Sequence, residues 1–283
     1  MRWLPVLLSV IAGSTDVVSL LGLGLFSAHV TGNLIILIAR LVAGRADNTC
    51  LFLSVPIFVL VLGLTGLLFA ALQARRINPL RPLLLLQLLM LGSSLVVWMV
   101  SGHASGAEAP GVIIAGQLCV AAMAVQNALV ALSLHGSPTT AVMTTNLTRL
   151  TMDVIETLVG RNPAEVATAL HRAKHTWPVV VGFVVGAGLG AGCFRAAGLY
   201  ALGLPTSLAL GGTAVGTGIN SAPGFAEAAA AEKSREMTVE LNYGWTVRPG
   251  MLVQPSLQYI VNPGGDKSIS NALALGINVV FKF

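Results

Sequence analysis

Charged residues are scarce in this chain of 283 residues, since Asp, Glu, Lys and Arg together make up only 10% of it. Soluble domains carry about 25% charged residues, so this scarcity excludes an ordinary soluble fold. The hydrophobic fraction of 55% indicates a membrane protein instead. The net charge of +5 arises within residues 1–199, where basic residues flank apolar segments. That distribution is typical of membrane proteins and predicts no nucleic-acid partner.

Cysteine is also rare, and the three that occur are Cys50, Cys119 and Cys193. An odd number without a CxxC pair predicts neither a disulfide framework nor a metal site. His171 and His175 have the i, i+4 spacing of a helical metal clip, but the HExxH pattern is missing. We therefore expect no metal, no cofactor, no catalytic residues and no enzymatic activity.

Long uncharged runs dominate what is present. Four of them, at 51–72, 82–101, 111–134 and 177–194, are each close to the roughly 20 residues that cross a hydrocarbon core. A fifth run, 3–25, is interrupted by Asp16. Two shorter runs, 27–41 and 139–159, contain polar residues and predict half-spans or broken helices. The predicted fold class is thus an all-α membrane bundle with five full spans and two short or broken helices.

The basic residues predict an orientation. Segments 73–81 and 160–176 each contain three Lys or Arg residues, whereas 102–110 contains only one charged residue, Glu108. Cytoplasmic loops are enriched in Lys and Arg, so the first two segments are expected inside and the third outside. The prediction is a multi-pass protein of the bacterial inner membrane, with the outer membrane as the alternative.

A polar pattern occurs twice along the chain. Asp16 precedes Asn33 by 17 residues, and Asn127 precedes Asn146 by 19. Two such copies are typical of inverted repeats, which in transporters form a site near the middle of the membrane. The predicted binding residues for a small solute are Asp16, Thr31, Asn33, Asn127, Thr144 and Asn146. The structural alternatives are that Asp16 caps a helix break and that the Thr and Asn side chains satisfy unwound backbone.

Two further sets of residues suggest helix contacts. Arg149, Asp153 and Glu156 lie at i, i+4 and i+7, so Arg149 and Asp153 are expected to pair, with a proton or ion relay as the alternative. Gly182, Gly186 and Gly190 have GxxxG spacing, which lets a neighbouring helix approach closely. They predict helix packing, and they make a homo-oligomer through this span a candidate assembly.

Residues 10–205 resemble the YoaK-type family of bacterial integral membrane proteins, a domain of unknown function. The motifs that carry the resemblance are 12–19 (AGSTDVVS), 27–33 (SAHVTGN), 126–128 (QNA) and 139–150 (TTAVMTTNLTRL). The resemblance implies an inner-membrane helical bundle with no established substrate. Thr145 departs from the family pattern, which has Gly there, and the segment 198–205 breaks off where a last span would begin.

The remaining third of the chain differs in character. Residues 208–233 resemble the substrate-loop stretch of the fumarase and aspartase superfamily, but the rest of that active site is missing. We expect 206–234 to be a Gly/Ala-rich linker with a short helix over 222–232. Residues 235–283 alternate apolar and polar residues and resemble the C-terminal end of OprB-type carbohydrate-selective porins. They predict a small antiparallel β segment of about three strands.

The sequence therefore predicts a chimera of three parts, with domains at 1–205, 206–234 and 235–283. The predicted function of the first part is transport or sensing of a small solute in the lipid bilayer. The alternatives are a fragment of an outer-membrane carbohydrate porin and a non-functional gene-fusion product.

Overall fold

A computed structural model describes residues 3–101, 108–134 and 143–219, with side chains up to residue 213, and the backbone of four strands between 237 and 281. Contacts divide the chain into two compact units, Met1–Ser221 and Ala222–Phe283. The first unit is helical. Its elements are α1 (Trp3–Leu23), α2 (Val30–Val42), α3 (Thr49–Ala74), α4 (Leu80–Val100), α5 (Pro110–Ser133), α6 (Met143–Val159), α7 (Pro163–Ala197), the 3-10 helix η1 (Gly198–Leu202) and α8 (Gly203–Ile219).

Five helical segments of the described chain are long and apolar enough to cross a membrane. They are α1, α3, α4, α5 and the stretch Pro163–Thr213, which comprises α7, η1 and most of α8. The helix α2 has only 13 residues and α6 only 17. At about 1.5 Å per residue, α2 is about 20 Å long, which is too short to cross a hydrocarbon core of about 30 Å. The predicted long runs and short runs therefore correspond to long and short helices.

The predicted cytoplasmic segment 160–176 is not a loop, because most of it forms the start of α7. This helix has 35 residues and is about 52 Å long, which exceeds the thickness of the hydrocarbon core by about 20 Å. The apolar part of α7 begins at Trp177. The basic residues Arg172 and Lys174 thus lie on an extension of the helix beyond its apolar part.

The helices pack in a repeating pattern. The pattern is seen when α1–α4 are matched in order with α5–α8. The helix α1 packs against α7, just as α5 packs against α3. The helix α2 packs against α3, just as α6 packs against α7. Likewise α4 packs against α5 while α8 packs against α1, and α4 and α8 contact each other. Helices α1–α4 and α5–α8 therefore form two halves that exchange equivalent contacts, and the polar pattern found twice in the sequence lies at the same place in each half.

Buried amides connect the helices of this unit. Gln87 on α4 donates to the Gln126 side-chain oxygen at 2.7 Å, and Gln126 on α5 donates to the Leu8 carbonyl of α1 at 2.9 Å. Gln117 on α5 donates to the Cys50 carbonyl of α3 at 2.8 Å. In a lipid-surrounded bundle such hydrogen bonds contribute about 0.6–1.7 kcal/mol each. They fix which faces of α1, α3, α4 and α5 meet.

The fold class predicted from the sequence is wrong as a whole. It joined the helical bundle to a β segment of about three strands, but the part of the chain described with its side chains, up to residue 213, contains helices and no strand. The helical bundle itself fits this first part. In the second unit the backbone forms four strands, β1 (Met237–Asn242), β2 (Trp245–Arg248), β3 (Met251–Val261) and β4 (Ala272–Phe281).

The structure has four strands where the sequence predicted about three, because one alternating run contains two strands. The sequence pattern took 239–247 as a single strand, whereas this stretch contains both β1 and β2. Both pair antiparallel with β3, β1 near its end and β2 near its start, and β4 pairs antiparallel along nearly all of β3. A one-residue shift in register lies within β2, between Thr246 and Arg248.

The helix α8 runs through the predicted boundary at 205/206. Residues 206–219, expected as a linker, are helical, and the first compact unit extends to Ser221. Gly211 has nothing within 4 Å of a would-be Cβ and Gly212 only a Leu7 methyl at 3.5 Å, so these glycines leave room at the helix surface. The short helix expected at 222–232 lies outside the described residues.

Candidate functional site

The first polar motif forms a turn inside the bundle. α1 ends at Leu23, and Gly24 follows with a φ of +72°, a left-handed conformation that glycine adopts without steric cost. The chain then runs back along α1, so that Ser27 and Ala28 reach Asp16. Asp16 lies two helical turns before the end of α1, about 10 Å along the axis. The helix α2 therefore begins at the depth of Asp16 and not at the end of α1.

Asp16 is almost completely buried, with 3% of its surface exposed. Its Oδ1 atom accepts hydrogen bonds from the backbone N–H groups of Ser27 and Ala28, both at 2.8 Å, and from His29 N–H at 3.5 Å. A carboxylate inside a membrane must be partnered, and here the backbone of the turn before α2 supplies the partners. Asp16 therefore holds the turn at residues 27–29 from another helix.

His29 supplies the other partner of this carboxylate. Its Nδ1 atom lies 2.7 Å from the Asp16 Oδ2 atom, and its side chain is 29% exposed. The imidazole ring packs edge-on against Phe26, with ring centroids 6.4 Å apart, and against Phe183 of α7, at 5.3 Å. An ionisable ring that is partly open, paired with a buried carboxylate, is the part of this motif that can meet a solute or a proton.

The side chain of Asn33 makes hydrogen bonds to other parts of the protein. Its amide oxygen accepts from the Phe26 N–H at 2.7 Å, and its amide nitrogen donates to the Phe26 carbonyl at 2.8 Å and to the Ser54 hydroxyl of α3 at 3.0 Å. Asn33 is fully buried. It closes the turn before α2 and ties that turn to α3, so that its polar atoms are engaged in structure.

The other predicted binding residues are dispersed. Thr31 and Thr144 are exposed, Asn127 is half-buried, and Asn146 is buried. Asn127 and Asn146 each make a polar contact of their own. Residues 135–142, which precede α6 and hold part of the second motif, lie outside the described residues. Within the described chain, Asp16 and Asn33 both bind the turn at residues 26–28, while Thr31 is exposed.

The predicted pair of Arg149 and Asp153 is replaced by a different one. Asp153 on α6 is buried and accepts two hydrogen bonds on Oδ1 from Arg172 of α7, at 2.9 Å from Nε and 2.7 Å from a terminal nitrogen. Arg149 is exposed and Glu156 is partly exposed. The i, i+4 spacing indicated a neighbour on the same helix, but the packing of α6 on α7 brings a better-aligned guanidinium to the carboxylate.

The predicted packing glycines face α1 of the same chain. A Cβ atom at Gly182 would lie 3.1 Å from the Val6 carbonyl oxygen, and one at Gly190 would lie 2.8 Å from the Ser14 carbonyl oxygen. At Gly186 a Cβ atom would overlap Val10, with its Cα only 2.7 Å away. The backbones of α1 and α7 thus touch along this line, and a homo-oligomer through these three glycines would have to displace α1.

Sequence reasoning missed two of the residues that matter here. His29 stands within the 27–33 motif, and a histidine two positions from predicted binding residues in an apolar segment was a usable signal. Gln126, next to the predicted Asn127, bridges α1 and α4 from a fully buried position. A glutamine within a continuous apolar span was the corresponding signal.

His171 and His175 face each other on the extension of α7. Their Nε2 atoms are 3.2 Å apart, which is the contact expected for i, i+4 side chains on a helix. Within the described residues, no group of three or more His, Cys, Asp or Glu side chains is placed to hold a metal ion.

The apolar helices and the ionisable pair buried among them define a multi-pass α-helical membrane protein. The chain belongs to the family described as "Protein of unknown function (DUF1275)", whose model matches residues 4–215. This match extends past the boundary predicted at 205 and includes most of α8. Residues 206–283 are similar to a second family model, "Carbohydrate-selective porin, OprB family".

Neither the curated proteins nor the solved structures give a match to this chain. The expected resemblance of 208–233 to fumarases and aspartases finds no support in the family comparison, which places these residues within the porin-family match and partly within the membrane-family match.

Proposed function

We propose that this membrane protein transports or senses a small solute at the turn where His29 meets Asp16. The supporting observation is a single one: an ionisable pair, joined by a 2.7 Å contact, lies among apolar helices at the start of a short helix. Placing a carboxylate at the middle of a membrane is unfavourable by about 2.5–3.5 kcal/mol on insertion scales. Such residues usually mark a pathway for a substrate or ion.

In this proposal Asp16 and His29 have different roles. Asp16 Oδ1 is engaged by backbone N–H groups, so it holds the turn in place. The second oxygen and the His29 ring form the part that meets the solute, because the ring is partly exposed while the carboxylate is buried. This surface suits a small polar solute with a hydrogen-bonding or cationic group.

Thermal unfolding of the purified protein in detergent tests this proposal. The probes are a panel of amino acids, sugars, nucleobases, organic acids and organic amines. We expect at least one class to raise the melting temperature of the wild type, and the shift to vanish in His29→Asn while persisting in His171→Gln. Uptake of that compound into proteoliposomes then separates transport from sensing. A shift of equal size in wild type and His29→Asn would refute the site.

We also propose that the protein resides in the bacterial inner membrane with residues 73–81 and the start of α7 in the cytoplasm. Arg75, Arg76 and Arg81 lie at the junction of α3 and α4, and Arg172 and Lys174 lie on the extension of α7; cytoplasmic segments favour such residues. Reporter fusions after Arg75 and after His171 are expected to give the same cytoplasmic signal. Opposite signals would overturn the orientation.

A second proposal concerns the C-terminal part. The overlap of the two family matches at residues 206–215 favours a chain that joins sequences from two families. Mass spectrometry of the purified protein tests this. Peptides that cross residues 205–240 support a continuous fused chain, and a product that lacks them shows that the fusion is absent from the mature protein.

A further inference from the structure

The extension of α7 beyond its apolar part carries two histidines that the proposed solute site does not use. His171 and His175 are both exposed, and their Nε2 atoms lie 3.2 Å apart, with the ring centroids separated by 4.5 Å. The apolar part of the helix begins only at Trp177. The pair is therefore accessible to an ion from solution.

The spacing of the two Nε2 atoms fits a shared metal ion. Imidazole nitrogens bind zinc at about 2.0–2.1 Å. A metal at that distance from two nitrogens that are 3.2 Å apart makes a nitrogen–metal–nitrogen angle of about 100–106°. This angle lies between the roughly 90° of a square-planar copper site and the roughly 109° of a tetrahedral zinc site. Both donors can therefore reach one ion without a change in the helix backbone.

The same turn of α7 lacks one of its backbone hydrogen bonds. Pro178 lies inside the helix, and proline has no N–H group to donate to the carbonyl four residues earlier. That carbonyl belongs to Lys174, which lies between the two histidines. A link between the side chains of residues 171 and 175 would stabilise this turn, because it would hold the first and last residues of the turn together.

We propose that His171 and His175 form a two-ligand site for a divalent transition metal of the kind of Zn²⁺ or Cu²⁺, and that the bound metal stabilises the turn before Pro178. The sequence-based expectation of no metal was drawn from the missing HExxH pattern, which describes a catalytic zinc site. A metal that stabilises a helical turn needs no catalytic glutamate. The inference goes beyond the proposed solute site and does not depend on it.

Solvent completes the coordination of the ion. Within the part of the chain that the structure describes, no third His, Cys, Asp or Glu side chain joins the pair, so water fills the remaining positions. Imidazole ligands suit Cu²⁺, Ni²⁺ and Zn²⁺, of which Cu²⁺ binds most tightly, whereas Mg²⁺ prefers oxygen ligands. The site should therefore select these transition metals against magnesium.

Two cations flank the pair on the same turn. Arg172 is neutralised by Asp153, whose Oδ1 atom lies 2.7 Å from a guanidinium nitrogen. Lys174 is exposed, and among the described residues it forms no ion pair. Its charge opposes metal binding only weakly, because solvent and salt screen exposed charges. The variant Lys174→Gln is therefore a matched control, since it changes the same turn and keeps both imidazoles.

Calorimetric titration of the full chain in detergent, purified without a histidine tag, tests the site. The probes are Cu²⁺, Ni²⁺, Zn²⁺ and Mg²⁺, and the variants are His171→Gln, His175→Gln and the two together. Both positions are exposed, so the substitutions leave the packing of α7 intact. These titrations are separate from the solute panel, in which no metal is present, so that failure of one proposal is distinguishable from failure of the other.

We expect the tightest site to hold one Cu²⁺ or Zn²⁺ per chain. Each single variant should bind about tenfold more weakly or worse, since even groups that only support a metal ligand change affinity by about 10–100-fold. The double variant should be little worse than either single variant, because a chelate is lost with its first donor, and Lys174→Gln should bind at least as tightly as the wild type. Single variants that keep half of the sites at unchanged affinity, or Mg²⁺ binding as tightly as Zn²⁺, would overturn the site.

Hydrogen exchange of peptides covering residues 171–178 tests the stabilised turn. At a Zn²⁺ concentration ten times the dissociation constant, a metal that binds only the closed turn should slow exchange about tenfold. We expect this in the wild type and in Lys174→Gln, and no effect of Zn²⁺ in His171→Gln or His175→Gln. Tight metal binding with unchanged exchange at 171–178 would show that the ion does not join the two ends of the turn, and would overturn the proposal.

Discussion

Replacing Gly186 by alanine tests whether α1 and α7 meet backbone to backbone. The new Cβ atom would lie only 2.7 Å from the Val10 Cα, a distance that real carbon contacts do not show. The two helices would have to separate locally, which would also loosen the contacts at Gly182 and Gly190. Extra atoms in a well-packed interior destabilise a protein by about 1–3 kcal/mol.

The matched control is Gly188→Ala, two positions further along the same helix. A Cβ atom there meets nothing within 4 Å. Both substitutions gain the same preference of alanine over glycine for the helix, about 1 kcal/mol, so this contribution cancels between them. The difference in the free energy of unfolding between the two variants is therefore the overlap at Val10 alone, about 1–3 kcal/mol.

Thermal unfolding followed by size-exclusion chromatography in detergent measures the effect. We expect Gly188→Ala to melt at or above the wild-type temperature and Gly186→Ala to melt below it. A helix-wide loss of helicity would affect both variants equally, so their comparison isolates the interface. Equal melting temperatures would show that α7 does not contact α1 along this face, and would refute the backbone contact between these two helices.

Three further substitutions test the interior of the bundle. Asn33→Ala leaves the backbone groups of the turn without partners and should destabilise the protein by about 2 kcal/mol, whereas Thr31→Ala, at an exposed position, should have little effect; equal melting temperatures would contradict the turn. Gln126→Leu removes the bridge between α1 and α4 and should destabilise by about 1–2 kcal/mol in an SDS unfolding titration, and an unchanged midpoint would contradict it. Arg172→Met should lower the melting temperature and expose α6 to limited proteolysis, whereas Arg149→Met should do neither. A larger effect of Arg149→Met than of Arg172→Met would show that Asp153 pairs with Arg149, as the sequence predicted.

The helical elements were predictable because a membrane imposes a simple requirement on sequence. Every backbone group in lipid must be paired within a helix or barrel, so an uncharged run of about 20 residues indicates a span. Length alone separated the full spans from the short segments that contain α2 and α6. The continuation into α8 was not predictable in this way, because Pro205 and Gly211 suggested an interruption, whereas α8 continues through both.

The partners of polar residues were harder to predict than the residues themselves. Asp16 stood out as a carboxylate in an apolar run, but the sequence does not show that the chain reverses at Gly24 and returns to it. Asp153 illustrates the same limit, since Arg149 is near in sequence while Arg172 is near in space. Local spacing predicts contacts along one helix, whereas contacts between helices depend on how their faces meet.

The contact of Asp16 with the turn at residues 27–29 has a consequence for biogenesis. The groups that partner this carboxylate lie only 11 to 13 residues further along the chain. When α1 first enters the translocon, Asp16 has none of them, and it acquires all of them once residue 29 has left the ribosome. Lateral release of α1 into lipid should therefore wait for the turn that follows it, so that the two enter the bilayer as one hairpin.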